Sequence, residues 1–570
     1  MSRFPNGLRI QNIQCASAFE CNAGVRDQLD TKNAVIANSL FLDFLLDNGL
    51  NVWKEKSTRD LIVLEFGYGT RSYEDERKHF DSLLSRVKKE LDGDMSDHQR
   101  KKVEKKLANI QRLSDDCDRN KDEYVKISKQ DLRAITYKEG ITINYYIHSK
   151  GGMKRIDESI HYKMLTRTPG KAKKGRCMYI RDELYDAARE FLYMGITLPE
   201  HDAQIVEIGA YSSLVTSGLV GRIRIEPENI LVLKDVESHL TTNVTSVETN
   251  ARDECEAISR SNYELTSVLF DGQGLISSEI FPDWGNRYLL LRHHMTKCAC
   301  LKTEIQQYFK DYFGDAYETA TVTDMWGNEH LVKNIKLITT DNALKWLKFD
   351  VSYETWCKWV HKNDCMFGIV KTAHFSKHYP KQKMSYQMVN ALDIETMYST
   401  MNDTREYLET LQSNDDAFLD YLRQNINFSN DYEVLIALVE QDRDFIRSDY
   451  FRARKKQIIN AYVINMKTGK LLQNAENLVI FGSPYAMLLH AVGEDVTKDP
   501  TFEVEDDCIQ CWTGRFNDGE YLAEFRSPFN CRANMGVLKN HYHPLLEKYF
   551  DIGDLTIAVN LQKTPFQDRN

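Results

Sequence analysis

Residues 262–384 hold the pattern that most limits how this chain can fold. SVLFDGQGLIS, RYLLLRHHMTK, ETATVTDMWGNEHLVKNIKLITT and ALKWLKF are closely spaced apolar runs of strand length, separated by Gly and Asn turns. Runs this short do not make the longer amphipathic helices of a bundle, so the segment calls for a sheet. The expectation is a compact β-barrel. MWGNEH, flanked by alternating apolar residues, reads as a hairpin turn.

On either side the period changes. Residues 1–75 mix LIVLEFGYG with the amphipathic ANSLFLDFLLDNGL and read as an N-terminal α/β region. Residues 76–125 read as a helical hairpin, from HFDSLLSRVKKEL and HQRKKVEKKLANIQRL, with Gly93 ending one helix and Ser96 capping the next. Residues 130–260 form a strand-rich basic region. Its strands are expected at AITYKEGITINYYIH, KGRCMYI, IVEIGAY and ILVLKD, with one helix at RDELYDAAREFLYMG. After the barrel at 262–384 come a long helical insert at 385–500 and, at 501–570, the start of a second β-barrel. That second barrel reads as incomplete, because TIAVNLQKTPFQDRN gives one strand and a polar stub that leaves a sheet edge unpaired. The fold class is α+β and multidomain.

A hydrophobic fraction of 42% with 28% charged residues is that of a globular protein. No apolar run approaches the roughly 20 residues needed to span a bilayer, and the N-terminus lacks a signal-peptide core. A cytoplasmic location is expected, with no membrane partner. The 12 cysteines are scattered. Cys508 and Cys511 form a C-x-x-C with no second pair to complete a zinc site, so free thiols are expected. His293, His294, Cys298 and Cys300 cluster as HHMTKCAC, yet adjacent histidines on a strand point to opposite faces. Asp92 and Asp94 sit at a helix junction, where Asp serves capping. DDCDRNKDEY has Lys121 where a calcium loop needs Gly and Ile127 where it needs Glu. Phosphate-loop and dinucleotide motifs are absent.

The net charge is −10. Binding follows local potential rather than net charge, and residues 150–176 carry nine Lys and Arg against Asp157 and Glu158. The Gly- and Pro-containing TRTPGKAKKGR makes part of that surplus a loop. Its Arg167, Lys171, Lys173 and Lys174 are candidate phosphate contacts, as is the RARKK cluster of Arg452, Arg454, Lys455 and Lys456.

Several segments, in order, resemble eukaryote-type RNA-dependent RNA polymerases and their phage and gut-bacterial relatives, which share a two double-psi β-barrel core. FDGQGLIS, with Asp271, Gly272 and Gly274, is similar to the motif opening the first barrel. LLLRHHMTKCACLK is similar to an Arg-bearing strand ending in a barrel lysine, matching Arg292 and Lys297. ITTDNALKWLKF resembles the segment with a second lysine, placed at Lys348 with Lys345 as second choice. Arg526, Pro528, Gly536 and Val537 resemble the Arg-x-Pro segment before the metal loop. More loosely, KMSYQMVNAL around Gln387 and TRTPGKAKKG resemble flanking family segments. The resemblance covers roughly residues 160–570. CAC stands where the family has Gly after the Lys, and the Asp-x-Asp-x-Asp run is missing.

The resemblance implies templated RNA synthesis, with nucleic acid (template and RNA product) and nucleoside triphosphates as partners. Lys297 and Lys348 would neutralise phosphates, and Arg526 would contact the ribose of the incoming nucleotide, with Pro528 stiffening its turn. Mg2+ is implied as cofactor, its ligands lying outside this chain: a C-terminal continuation or a second chain would complete the site, or the aspartates are lost. The alternatives are a noncatalytic nucleic-acid-binding or scaffold protein that retains the barrel, and a metal-dependent nuclease using Glu503, Glu505 and Asp507.

Overall fold

A run that is apolar at successive positions must be covered on both faces. Leu61, Ile62, Val63 and Leu64 are all buried. They lie in β3 (Ser57–Glu65), inside a six-stranded sheet ordered β2 (Thr31–Ile36), β1 (Leu8–Gln14), β3, β6 (Arg176–Arg181), β5 (Lys154–Arg167), β4 (Ile141–His148). Strands β1 and β3 are parallel and the other neighbours antiparallel. This is a computed structural model describing residues 7–562 apart from 27, 54–55, 94, 149–153, 168–175, 198–203, 385–387, 389–391, 428–429, 505–507 and 526–534. The chain divides into two units, each built from three segments. The first takes 1–224, 291–297 and 344–370; the second takes 225–290, 298–343 and 371–570.

In the first unit, α1 (Cys15–Asn22) and α5 (Lys129–Glu139) bury Cys15, Ala16, Ala18 and Leu132 with Ile62 and Leu64. Helices α2 (Leu40–Asp47) and α6 (Asp182–Tyr193) meet where Phe44 and Phe191 stack with centroids 4.2 Å apart. Helices α3 (Tyr73–Leu91) and α4 (Asp97–Arg119) share a small core of Leu84, Val87, Val103 and Ile110. Ser96 and Gln99 form a reciprocal capping box at the start of α4, and Asp92 is the C-cap of α3. Helix α7 (Ile205–Ser212), α9 (Tyr353–Lys362) and the antiparallel pair β7 (Gly221–Arg224) with β17 (Met366–Thr372) complete the unit.

Three segments expected as strands are helical, among them ALKWLKF, which forms the 3-10 turn Lys345–Phe349. AITYKE lies in α5 because Ser128 caps its start, Leu132 and Thr136 bury one face, and Gly140 at φ +75° ends it. The strand β4 begins only at Ile141. IVEIGAY forms α7, where Ile208 and Ser212 bury one helical face four residues apart.

The second unit holds two curled sheet groups. In one, β11 (Gln273–Ser277) lies between β13 (Thr296–Thr303), parallel, and β16 (Leu337–Thr340), antiparallel; β8 (Ile230–Leu233) runs parallel to β16. The division between units falls inside β12 (Tyr288–His293), β13 and β17. The other group is ordered β20 (Val479–Gly482), β24 (Thr556–Val559), β21 (Ile509–Trp512), β23 (Met535–Asn540), β22 (Tyr521–Phe525). Leu231, Leu275, Leu301 and Ile338 join Phe481, Leu538, Ile557 and Val559 in one core with α8 (Ile305–Phe313), α15 (Pro484–Ala491) and α16 (Pro544–Tyr549). The expected unpaired edge at TIAV is not seen: β24 is hydrogen-bonded to β20 on one side and β21 on the other.

MWGNEH turns between β14 (Thr321–Thr323) and β15 (Glu329–Leu331), with Asp324 accepting from the Trp326 and Asn328 amides and Gly327 at φ +88°. A two-stranded ribbon, β9 (Glu237–Thr249) with β10 (Cys255–Val268), carries Ser, Thr and charged residues on both faces. Helices α10 (Ile394–Thr400), α11 (Asn402–Ser413), α12 (Asp415–Gln424), α13 (Tyr432–Gln441) and α14 (Asp449–Lys467) lie in the chain between the short paired strands β18 (Gln382–Lys383) and β19 (Leu472–Gln473). Phe418, Leu422, Leu435 and Phe451 are central to the core of this helical part. Among the described residues no helix is long and apolar enough to cross a membrane.

Candidate nucleic-acid site

FDGQGLIS folds as a tight turn running into a buried strand. The Gln273 amide donates to the Phe270 carbonyl over 2.9 Å, with Gly272 at the third turn position and φ +66°, a conformation that favours glycine. Asp271 is half-buried at the second position. The Gly272 carbonyl accepts from the Ala299 amide of β13 at 2.8 Å. Gly274 is fixed by close approach: a Cβ would lie 2.6 Å from Cys298 Sγ and 3.1 Å from the Ile338 carbonyl oxygen. The thiols of Cys298 and Cys300, 3.3 Å apart, take the space facing it. Thr339 Oγ1 donates to the Gln273 carbonyl at 2.8 Å, tying β16 to the same strand.

Beside this turn lies a carboxylate that sequence reasoning missed. Asp235 is buried, and its two oxygens accept from the Val236 and Phe270 amides, the Thr340 hydroxyl and the Asn342 amide group. Burial pushes its pKa up and these bonds pull it back. Four donors occupy the lone-pair directions of a carboxylate, so Asp235 is a brace for the turn, with no site left for a ligand. Asp341 accepts from the Asp235 amide at 3.1 Å and pairs with Lys234. The available signal was an Asp at or just past the buried ends of ILVLKD and LITTD.

The residues matched to the family's basic strands lie in the first unit. Arg292 is buried, its Nη1 donating to the Leu291 carbonyl at 2.9 Å. Lys297 is half-buried in β13. The Lys345 amide donates to the Met295 carbonyl at 2.9 Å. Lys348 belongs to a 3-10 turn, Lys345–Phe349, that buries Trp346 and Phe349 three residues apart and ends at Asp350 with φ +54°. Its side chain is exposed, donating to Glu207 at 2.6 Å and lying 3.4 Å from the Tyr211 hydroxyl. The bond to Glu207 raises the pKa of Lys348, and the reciprocal bond lowers that of Glu207.

The two histidines are core residues. The turn at Met295 (φ +44°) leaves the rings of His293 and His294 4.9 Å apart, packed against Phe367 and against Phe191 and Trp359 respectively. Their approach differs from the opposite-facing placement expected of a strand. Among the described residues neither ring nitrogen of His293 has a hydrogen-bond partner, while His294 Nε2 accepts from the Asn363 amide group at 3.0 Å. Burial lowers the His293 pKa to about 3, and burial with the neighbouring His293 and Lys362 charges lowers that of His294 well below its ordinary value.

Lys171, Lys173, Lys174, Gln387, Arg526, Pro528, Asp94, Glu505 and Asp507 lie outside the described residues. Arg167 ends β5, its backbone paired with Cys177, and Gly536 lies in β23 opposite Glu524. Within RARKK, Arg454 is held by Asp431 and Lys455 by Asp415 at 2.7 Å, leaving Arg452 and Lys456 on a cleft with Arg447. Cys508 and Cys511 are buried, and neither is in a disulfide.

No protein-family model and no curated protein matches this chain. Among the described residues no three carboxylates come close enough to share one ion. The described donor set therefore does not fit the Mg2+ that the family resemblance implies. A further basic feature escaped the sequence reading. Between Asp364 and Asp393 there is no acidic residue, while Lys371, Lys377, Lys381 and Lys383 stand among His374, Phe375, His378 and Tyr379. Its signal was the missing carboxylates, hidden by a run too spread out to look like a charge cluster.

Proposed function

We propose that this chain is an RNA polymerase-like nucleotidyltransferase of the two-barrel type, acting with a nucleic-acid template and nucleoside triphosphates, and encoded by a phage or mobile element. In this reading β8, β16, β11 and β13 belong to a first double-psi barrel and β20–β24 to a second. The observation that carries it is the geometric need for the FDGQGLIS residues: Gly272 and Gly274 each stand where a side chain would be strained or would strike the neighbouring strand. Lys297 is then the residue to neutralise nucleotide phosphates. Lys348, whose ammonium pairs with Glu207, is the second such lysine. Carboxylates for Mg2+ would come from outside the described residues, and no metal-dependent step is assigned to the residues described.

A second reading, a noncatalytic nucleic-acid-binding protein on the same fold, is favoured because among the described residues no three carboxylates come together. Templated extension of a labelled RNA primer separates the two. The 570-residue chain is assayed with Mg2+ and nucleoside triphosphates, alone and with any polypeptide encoded downstream of Asn570. Extension abolished by Lys297→Ala supports the polymerase; strand binding without extension in either mixture supports the second reading.

A further inference from the structure

The basic run from Lys371 to Lys383 folds around a cleft of about 290 Å³ in the second unit. Tyr288, Ala373, Val479 and Leu555 supply apolar lining, and Lys371, Lys377 and Lys383 bring their charges to it; no carboxylate lines it among the described residues. Cations gathered without counter-charges repel one another, and the Lys383 pKa records the cost. It is lowered by burial and then by Lys470 and Lys377. The Lys383 ammonium lies 4.7 Å from the centre of the Tyr462 ring. Lys377 Nζ donates to the neutral Asn425 side chain at 3.2 Å. Among the described residues none of these three lysines has a carboxylate partner, whereas Lys381, outside the cleft lining, pairs with Asp403 at 2.8 Å. His378 sits edge-on to Tyr407 with centroids 5.2 Å apart, and burial with the nearby Lys383 and Lys377 lowers its pKa to about 4. It is therefore neutral at physiological pH and adds hydrogen-bonding capacity without charge.

Beside the cleft, Phe375 and Tyr379 expose 43% and 50% of their surface with ring centroids 4.7 Å apart. The loop that presents them is built rather than slack. The Tyr379 amide donates to the Ser376 carbonyl at 3.1 Å and the Lys381 amide to the His378 carbonyl at 2.8 Å. Arg515 donates to the Pro380 carbonyl at 2.6 Å and lies over the Tyr379 ring. Cations that can track a backbone, next to exposed rings on which bases can stack, are the two parts of a single-strand binding site.

We propose that the Lys371–Lys383 cleft holds a segment of single-stranded nucleic acid, with backbone phosphates on Lys371, Lys377 and Lys383 and a base against Phe375 or Tyr379. The proposal deepens the polynucleotide reading above but does not depend on nucleotidyl transfer. It is tested by fluorescence anisotropy of a labelled oligouridylate of about 12 nucleotides, within the span that single-strand sites cover, with the full chain and without Mg2+ or nucleotides. Failure of primer extension therefore leaves this result untouched. Lys371→Ala/Lys377→Ala/Lys383→Met is expected to weaken binding roughly 10-fold or more and to reduce the salt slope by about 2, at about 0.7 for each phosphate no longer neutralised. Lys371→Ala/Lys377→Ala, which leaves the more buried Lys383 in place, guards against misfolding and is expected to lower the slope by about 1.4. Phe375→Ala/Tyr379→Ala is expected to cost roughly 5- to 100-fold, and Lys381→Ala to change nothing. Binding and salt slope unchanged in both lysine variants would overturn the proposal. So would displacement of the oligonucleotide by UTP or tripolyphosphate at matched phosphate concentration, with no effect of the aromatic substitutions, since that marks a small-polyphosphate site.

Discussion

His293→Leu is expected to make the first unit more acid-resistant. Neither imidazole nitrogen of His293 has a hydrogen-bond partner among the described residues, and burial depresses its pKa to about 3. The unfolded chain binds a proton below about 6.5, but the folded chain does not until near the depressed value. Between those limits the unfolded state holds more protons, so stability rises with pH and is lost as pH falls from about 6.5 toward 3. The loss approaches about 1.4 kcal/mol per pH unit and reaches about 2 kcal/mol at pH 5 for this one residue. His294 adds a loss of the same sign. Trp346, Trp356 and Trp359 belong to the same unit, and Trp359 lies 5.2 Å from the His294 ring. Tryptophan fluorescence during urea unfolding at pH 5, 6 and 7.5 therefore reports on this region, together with Trp53 and the three tryptophans of the second unit. The variant's advantage over wild type is expected to be about 2 kcal/mol larger at pH 5 than at pH 7.5. A wild-type-to-variant difference that stays constant across this range would refute the reasoning, because it would mean that the folded site accepts the proton.

Gly274→Ala should cost about 1–3 kcal/mol in thermal melts, since its Cβ meets Cys298 Sγ at 2.6 Å, and adding Cys298→Ala should recover part of the loss. Asp235→Ala removes the acceptor of four hydrogen bonds and should cost about 3 kcal/mol or more in the same assay. Lys348→Ala breaks an exposed pair with Glu207 and should change stability by less than about 1 kcal/mol. A larger change would reveal a structural role for that lysine.

The legible parts of the sequence were those decided locally. Ser96 and Gln99 cap α4 through bonds within three residues, and the run at Leu61–Leu64 needs two covered faces in any fold. Gly272 was readable for the same reason, since its turn closes over four residues. The rest was set at a distance. Helix α5 carries the β-branched Ile135 and Thr136 yet remains helical because Thr136 packs inward and Gly140 stops the chain in a left-handed conformation. The ribbon of β9 and β10 has no apolar period because neither face joins a core. Lys348 looked like a strand lysine, and its ion pair with Glu207 spans 141 positions that no local pattern encodes. The cleft lysines reveal themselves through the carboxylates that are missing around them, a signal of absence that charge counting along an acidic chain does not register.

The interleaving of the two units bears on how the protein can emerge from a ribosome. Strand β7 ends at Arg224, but its partner β17 begins at Met366, and the first unit also waits for residues 344–370 before its last segment exists. Most of the chain must therefore be synthesised before either unit can close, and nascent sheet edges stay exposed in the meantime. A fragment cut at the first crossing would carry that exposure permanently. Expression of the 1–224 piece should yield aggregation-prone material, whereas a chain reaching past Val370 supplies every segment that the first unit needs.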